Sequence, residues 1–272
     1  MNRLFVILSL ALAVSMAAAQ EWVGEYPPRN LPTPPTYVCY QVATPPVLDG
    51  VLNDACWQGL PEMHLHRMVS GNGPTQPTIV KAVWHGDYIY FAWRISESDL
   101  EDHNSKRDND VYMEQCVEHF LQAPGGFPPY PGGPNRYCEV DPSPTGVIWD
   151  GRIWNPYTCP PPLDYKPQLK GIYDNSWSPD DVKVATVTNG TVNNPKDKDW
   201  GWTLEAQIPL NGPPGAKPPH VGDVWRMNLY RIHNRLQPDA EFQSWSVVGT
   251  VNQHTPARFG YLRFAGPLEA KG

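Results

Sequence analysis

The amino-acid sequence predicts an all-β protein that forms a single antiparallel β-sandwich with long proline- and glycine-rich loops. Short stretches of alternating apolar and polar residues recur along most of the chain, as expected for half-buried strands. The 272 residues include 32 prolines, well above the usual share of about 5%, which favours many turns and few long helices. No helical pattern extends beyond about two turns, so the helical classes of fold are excluded.

The sequence predicts ten strands, of which two pairs form clear hairpins. The turn His85-Gly86-Asp87 joins the first hairpin, and Asn189-Gly190 opens the connection of the second. Residues 125–134 are so rich in glycine and proline that no regular element is expected there. The predicted strands cover residues 78–84, 88–95, 117–121, 136–140, 147–154, 182–188, 202–209, 223–232, 243–248 and 258–264.

Both ends of the chain are expected to lie outside the sandwich. Residues 1–19 combine an early cation, an apolar run and Ala17-Ala18-Ala19, a pattern typical of a secretory signal peptide with its cleavage site. Residues 20–35 are expected to form a proline-rich leader, residues 36–264 the domain and residues 265–272 a tail. We therefore expect a secreted protein, extracellular or periplasmic once the signal peptide is removed.

Composition excludes several classes of partner. The chain has 21 Lys and Arg against 28 Asp and Glu, with no basic stripe, so nucleic acid and anionic membranes are not expected to bind. No second apolar run is long enough to span a membrane. Five cysteines in an exported chain predict disulfides, and the odd number leaves at least one thiol unpaired within the chain.

Seven phrases occur in a fixed order between residues 36 and 264, and together they resemble the family 9 carbohydrate-binding modules. The phrases are PVLDGVLNDACW (46–57), VKAVWHGDYIYFAWRI (80–95), YMEQCVEHFLQAP (112–124), YCEVDPSPTGVIWD (137–150), GWTLEAQIPL (201–210), GDVWRMNLYRI (222–232) and PARFGYLRF (256–264). The resemblance extends to the wider DOMON-like group, which implies an immunoglobulin-like β-sandwich. It also implies that the first phrase starts the fold, with Asn53 capping a short helical turn and Trp57 packing on the sandwich.

The resemblance implies an oligo- or polysaccharide ligand and a set of residues that bind it. In sugar-binding members two aromatic rings enclose a terminal sugar, and polar groups bind its hydroxyls. Tyr112 stands at the first of these ring positions and Glu118 at a hydroxyl acceptor. Glu139 stands where an arginine is expected. The remaining implied positions are Tyr230, at a late-strand amide, and Asn252 and Gln253, which together with His254 stand in the place of the second ring.

An acidic loop precedes Tyr112 and could hold a metal ion. Asp108 and Asp110 are the candidate ligands there, since oxygen-rich loops of exported β-sandwiches can bind Ca²⁺. No regular calcium-binding frame is present, so a solvated loop is an equal alternative. No other cofactor is required by the sequence.

Other functions stay open beside a non-catalytic carbohydrate-binding protein that serves glycan degradation. Haem could be held by His119 or His233 with Met113 or Met227, since DOMON-like relatives include haem carriers. Glu118 and Glu139 could form the carboxylate pair of a glycosidase. Relatives are attached to glycoside hydrolases, but the resemblance leaves no room here for a separate catalytic domain.

A structural surface module without ligand is the last alternative, and it would place all the rings in the core. Aromatic residues on strands are usually packed inside. We therefore expect a core position for four strand tryptophans, Trp84, Trp93, Trp202 and Trp225.

Overall fold

A computed structural model describes residues 31–127, 135–155, 173–235 and 237–268. The predicted signal peptide, most of the leader and Cys159 lie outside the described residues. The described strands are β1 (Thr36–Gln41), β2 (Met63–His64), β3 (His66–Arg67), β4 (Thr78–His85), β5 (Tyr88–Ile95), β6 (Cys116–Gln122), β7 (Asn135–Pro142), β8 (Ile148–Asn155), β9 (Tyr173–Asp174), β10 (Lys183–Asn189), β11 (Gly201–Pro209), β12 (Val224–His233), β13 (Glu241–Ser244) and β14 (Gly260–Pro267). Single-turn 3-10 helices form at Ala55–Trp57, Val111–Met113, Pro124–Gly126 and Pro256–Arg258.

The strands form a β-sandwich, which confirms the predicted fold class. They follow one another in the order β10-β11-β5-β4-β1-β14-β12-β6-β7-β8-β9. The first layer contains β10, β11, β5 and β4, and the second contains β14, β12, β6, β7, β8 and β9. Strand β13 extends the second layer by pairing with the C-terminal half of β12.

Strand β1 joins the two layers and departs from the otherwise antiparallel pairing. It runs parallel to β14 along its whole length and parallel to β4 at Tyr40 and Gln41. A bulge between these two residues changes its register. Because bulges bend a strand, β1 can leave one layer and reach the other.

The main core lies between the two layers and contains the four strand tryptophans, as predicted. Trp93 and Trp225 are almost completely buried. Trp93 on β5 donates from Nε1 to Nε2 of His119 on β6 at 2.8 Å. Since β5 and β6 belong to different layers, this hydrogen bond connects the layers through the centre of the core.

The opening phrase is anchored by a glutamate on β11. Oε2 of Glu205 accepts hydrogen bonds from the backbone N–H groups of Asp49 and Gly50, and Oε1 accepts from Nε1 of Trp57. Trp57 is 2% exposed, so its predicted packing is confirmed. The prediction of Asn53 as helix cap is wrong: Asp54 precedes the 3-10 helix and makes no capping bond, because its carboxylate accepts instead from the N–H of Val47.

The predicted disulfides are not found in the part of the chain that the structure describes. Cys39, Cys56, Cys116 and Cys138 are all free thiols, and all but Cys56 are buried. Cys39 and Cys138 both lie in the main core, whereas Cys116 lies in a second cluster on the outer face of the second layer. These cysteines therefore serve as small apolar residues.

Among the described residues no helix has the length and apolar character needed to cross a membrane.

Candidate functional site

The outer face of the second layer brings the predicted site residues together. Side chains alternate along a strand, so Glu118 and Phe120 of β6 point to the face opposite the main core. Tyr230 on β12 pairs with Glu118, and Glu139 on β7 pairs with Phe120. The three predicted residues on strands therefore share one face.

Asp141 joins this group because of its place on β7. It lies two residues after Glu139, so its side chain points to the same face. The pairing of His119 with Val140 places Asp141 beside Glu118, and Trp149 on β8 pairs with Asp141 on its other side. Sequence analysis missed Asp141, although its spacing from Glu139 was a usable signal.

Three carboxyl groups meet at this point of the face. Glu118, Glu139 and Asp141 each offer an oxygen, and these oxygens all lie within 4.8 Å of one another. The residues are 2%, 5% and 0% exposed. A glycosidase would also need two of these carboxyl groups placed on either side of a sugar bond, and the glycosidase alternative stays a prediction.

Burial and mutual repulsion perturb all three groups, which we call the carboxylate triad. Desolvation raises the pKa of Glu118 to about 7. Desolvation and the neighbouring carboxylates raise the pKa of Glu139 and of Asp141 well above the ordinary range. The guanidinium of Arg235 opposes these rises, because a nearby cation favours the ionised form.

Tyr112 lies at the edge of the triad and remains partly exposed. Its ring makes an edge-to-face contact with Trp149, with ring centres 6.0 Å apart. Its hydroxyl donates to Oδ1 of Asp110 at 2.7 Å. The guanidinium of Arg235 lies 5.8 Å from the ring centre, so a ligand that stacks on this ring face must displace Arg235.

Tyr173 supplies a second exposed ring that the sequence analysis missed. Strand β9 pairs with β8 so that Tyr173 is opposite Ile153 and shares the face of the triad. The side chain is 41% exposed. Burial of the hydroxyl and the charge of Glu139 raise the pKa of Tyr173, and its neighbours include Tyr112.

His254 stands where the family resemblance implied the second ring. Its Nδ1 is 2.9 Å from the hydroxyl of Tyr137, and its Nε2 is 3.1 Å from the hydroxyl of Tyr173. Its ring centre is 5.2 Å from that of Phe120. Desolvation lowers the pKa of His254 to about 3, so at neutral pH the imidazole is uncharged and holds Tyr173 in place.

The other predicted ligand residues are buried, as Glu118 and Glu139 also are. Tyr230 is fully buried, and its hydroxyl donates to the carbonyl of Gln253 at 2.7 Å. Asn252 is 4% exposed, and its Oδ1 accepts from the N–H of His254. Gln253 is 3% exposed. The structure thus places these residues behind the rings, where they fix the segment that carries His254.

The loop predicted to bind calcium has a different arrangement. Asp108 adopts a positive φ of 65°, and Asp110 accepts from Tyr112. Among the described residues, the group of three or more metal-ligating side chains is the carboxylate triad, and it includes neither aspartate. A calcium site at Asp108 and Asp110 stays a prediction.

The histidines suggested as haem ligands have both ring nitrogens engaged. His119 accepts from Trp93 at Nε2, so its Nδ1 carries the proton and donates to the carbonyl of Val140 at 2.9 Å. His233 contacts Glu97 through Nδ1 at 2.7 Å and Asp239 through Nε2 at 3.3 Å. Neither imidazole has a nitrogen available for iron, so the geometry does not favour the haem alternative.

Comparison with known proteins supports the resemblance. Residues 48–126 match the family model described as carbohydrate family 9 binding domain-like. No curated protein matches this chain in sequence.

Solved structures of similar fold cover most of the chain. A Bacteroides uniformis protein described as carbohydrate-binding superposes with a TM-score of 0.56 and 17% identity, covering 85% of this chain and all of its own. A family 9 carbohydrate-binding module from Caldicellulosiruptor kristjanssonii, solved with cellotriose, superposes with a TM-score of 0.53 and 15% identity, covering 87% of this chain and 97% of its own. The family 9 module from the same organism solved with glucose superposes with a TM-score of 0.53 and 16% identity, covering 86% of this chain and 98% of its own. The chain therefore resembles family 9 carbohydrate-binding modules, in sequence over residues 48–126 and in fold over most of its length.

Proposed function

We propose that the protein is an exported, non-catalytic carbohydrate-binding protein that binds its ligand on the outer face of the second layer. One observation carries the proposal: two partly exposed tyrosines, Tyr112 and Tyr173, flank a group of buried carboxyl groups. Flat rings pack on the apolar C–H faces of a sugar, while fixed polar groups recognise its hydroxyls.

The residues of this face divide these two tasks. The rings of Tyr112 and Tyr173 offer stacking surface, and Tyr173 takes the role that the missing second ring has in the family. Glu118 and Glu139 provide oxygens for hydroxyl groups. Arg235 lies over Tyr112 and supplies the positive charge that the family places at the position of Glu139.

The family 9 modules solved with glucose and cellotriose suggest the first ligands to test. Soluble glucose, cellotriose and a panel of insoluble glycans would be titrated against the full chain by calorimetry and pull-down. Binding of at least one glycan is expected. Failure to bind any plant or microbial glycan would contradict the proposal.

Tyr112→Ala tests the assignment of the stacking ring. Losing the ring contact is expected to reduce the binding free energy of the glycan by about 1–2 kcal/mol, which weakens binding about five- to thirty-fold. Trp200→Ala is the matched control, because Trp200 is 71% exposed and directly precedes β11 in the other layer. Equal loss of glycan affinity in both variants, or loss only in Trp200→Ala, would contradict a binding site on this face.

A further inference from the structure

The carboxylate triad would carry up to three negative charges in a place where water stabilises them poorly. Taking one carboxylate out of water already costs several kcal/mol unless the charge is neutralised. No Lys or Arg nitrogen of the described residues lies within salt-bridge distance of the triad; the ion pairs of this part of the chain are elsewhere. When all three groups are ionised, Arg235 offsets one charge and a net charge of −2 remains.

Several oxygens of the triad lack a hydrogen-bond donor. No N–H or hydroxyl group donates to either carboxylate oxygen of Asp141, to one oxygen of Glu118 or to one of Glu139. The partner within hydrogen-bond reach of Asp141 is another carboxyl group, that of Glu139. Buried carboxylates normally accept hydrogen bonds or bind a cation. A completely buried aspartate beside two other carboxyl groups has the acceptor capacity that a cation requires.

The spacing of the oxygens allows one metal ion to bind all three carboxylates. The Ca²⁺–O bond is about 2.3–2.6 Å long, so two oxygens on one Ca²⁺ ion are at most about 5 Å apart. The oxygens of the triad lie within 4.8 Å of one another. Mg²⁺ demands a regular octahedron at about 2.0–2.1 Å and gives up its water reluctantly, whereas Ca²⁺ accepts irregular sets of carboxylate oxygens, so a buried set of three carboxylates favours Ca²⁺.

We infer that Glu118, Glu139 and Asp141 bind one divalent cation, with Ca²⁺ preferred over Mg²⁺. The ion neutralises the net charge of the face and ties β6 to β7. Three protein ligands leave about three to five positions of a calcium shell for water or other oxygens. This site differs from the loop of Asp108 and Asp110, and it does not depend on whether the face binds a glycan.

Terbium luminescence tests the inference without any glycan. The full chain, freed of metals with EDTA and then desalted, is titrated with Tb³⁺ and excited at the tryptophan band. Trp149 pairs with Asp141 across β7 and β8, so it should sensitise an ion in the triad. One Tb³⁺ per chain is expected, displaced by Ca²⁺ at concentrations near 10⁻⁴ M, the scale of extracellular calcium sites, and at least about tenfold less readily by Mg²⁺.

Two kinds of variant locate the ion. Asp141→Asn should weaken Tb³⁺ and Ca²⁺ binding at least about tenfold, because affinity follows the number of charged ligands. Glu62→Gln, at an exposed carboxylate, is the control and should leave binding unchanged. Asp108→Asn distinguishes the triad from the acidic loop, and asparagine also tolerates the positive φ at that position. Glu118→Gln repeats the test if Asp141→Asn fails to give a native circular-dichroism spectrum.

No sensitised signal in the wild type would overturn the inference. So would a Ca²⁺ affinity that the triad variants leave unchanged, or one that Asp108→Asn abolishes.

Discussion

Replacing Glu118 with glutamine is expected to stabilise the metal-free protein at pH 8. The pKa of this buried carboxyl group rises from 4.5 to about 7. Above pH 7 the folded state must therefore hold an ionised group that it solvates poorly, while the unfolded chain solvates it well. Glutamine keeps the size of the side chain and removes this charge.

The magnitude follows from the change in pKa. A group whose pKa is higher in the folded state binds its proton more strongly there, so stability is greatest below pH 4.5 and falls as the pH rises through 7. A difference of one in pKa between the folded and unfolded states corresponds to about 1.36 kcal/mol. The ionisation of Glu118 therefore lowers the unfolding free energy by about 3 kcal/mol at pH 8. At pH 5 the loss of unfolding free energy is about 1 kcal/mol, because Glu118 is then mostly protonated in the folded state.

The assay is urea unfolding followed by tryptophan fluorescence, in EDTA, at pH 8 and at pH 5. Glu118→Gln should exceed the wild type in unfolding free energy by up to about 3 kcal/mol at pH 8 and by about 1 kcal/mol at pH 5. Glu62→Gln, at an exposed carboxylate, is the control and should change stability by less than about 0.5 kcal/mol. A Glu118→Gln variant that is less stable at pH 8, or equally shifted at both pH values, would refute the reasoning.

Two further predictions concern buried glutamates that hold the fold. Glu97→Gln should lower the unfolding free energy by about 3–5 kcal/mol, because it leaves the buried Arg231, 2.7 Å from Glu97, without its counter-charge. Thermal unfolding checks this. Arg67→Gln, at a half-exposed side chain that pairs with Glu241, is the control and should lower the unfolding free energy by less than about 1 kcal/mol. Glu205→Ala should lower the unfolding free energy by about 3 kcal/mol or more, because three N–H donors lose their acceptor. Urea unfolding measures this change, and a decrease below about 1 kcal/mol would contradict the anchoring role of Glu205.

Local patterns predicted the antiparallel strands well, because alternation of side chains is a property of each strand alone. The predicted strands at residues 78–84 and 88–95 correspond to β4 and β5, which pair as a hairpin. The parallel strand β1 was not predicted as such. Its partners β4 and β14 are distant in sequence, and no local pattern specifies a partner so far along the chain.

The candidate site was predicted only in part, for a related reason. The resemblance identified Tyr112, Glu118 and Glu139, which the structure brings to one face. It could not identify Tyr173, which reaches that face through the two-residue strand β9. It also placed Tyr230 among the ligand residues, although its register on β12 buries it beneath the site.

The most direct test of a glycan site on the outer face of the second layer is hydrogen–deuterium exchange with and without the glycan that binds. Ligand should slow exchange at residues 111–114 and 173–174, next to Tyr112 and Tyr173, and leave the amides around Trp200 unchanged. Protection confined to the segment around Trp200, or binding with no protection near either tyrosine, would contradict the site proposed here.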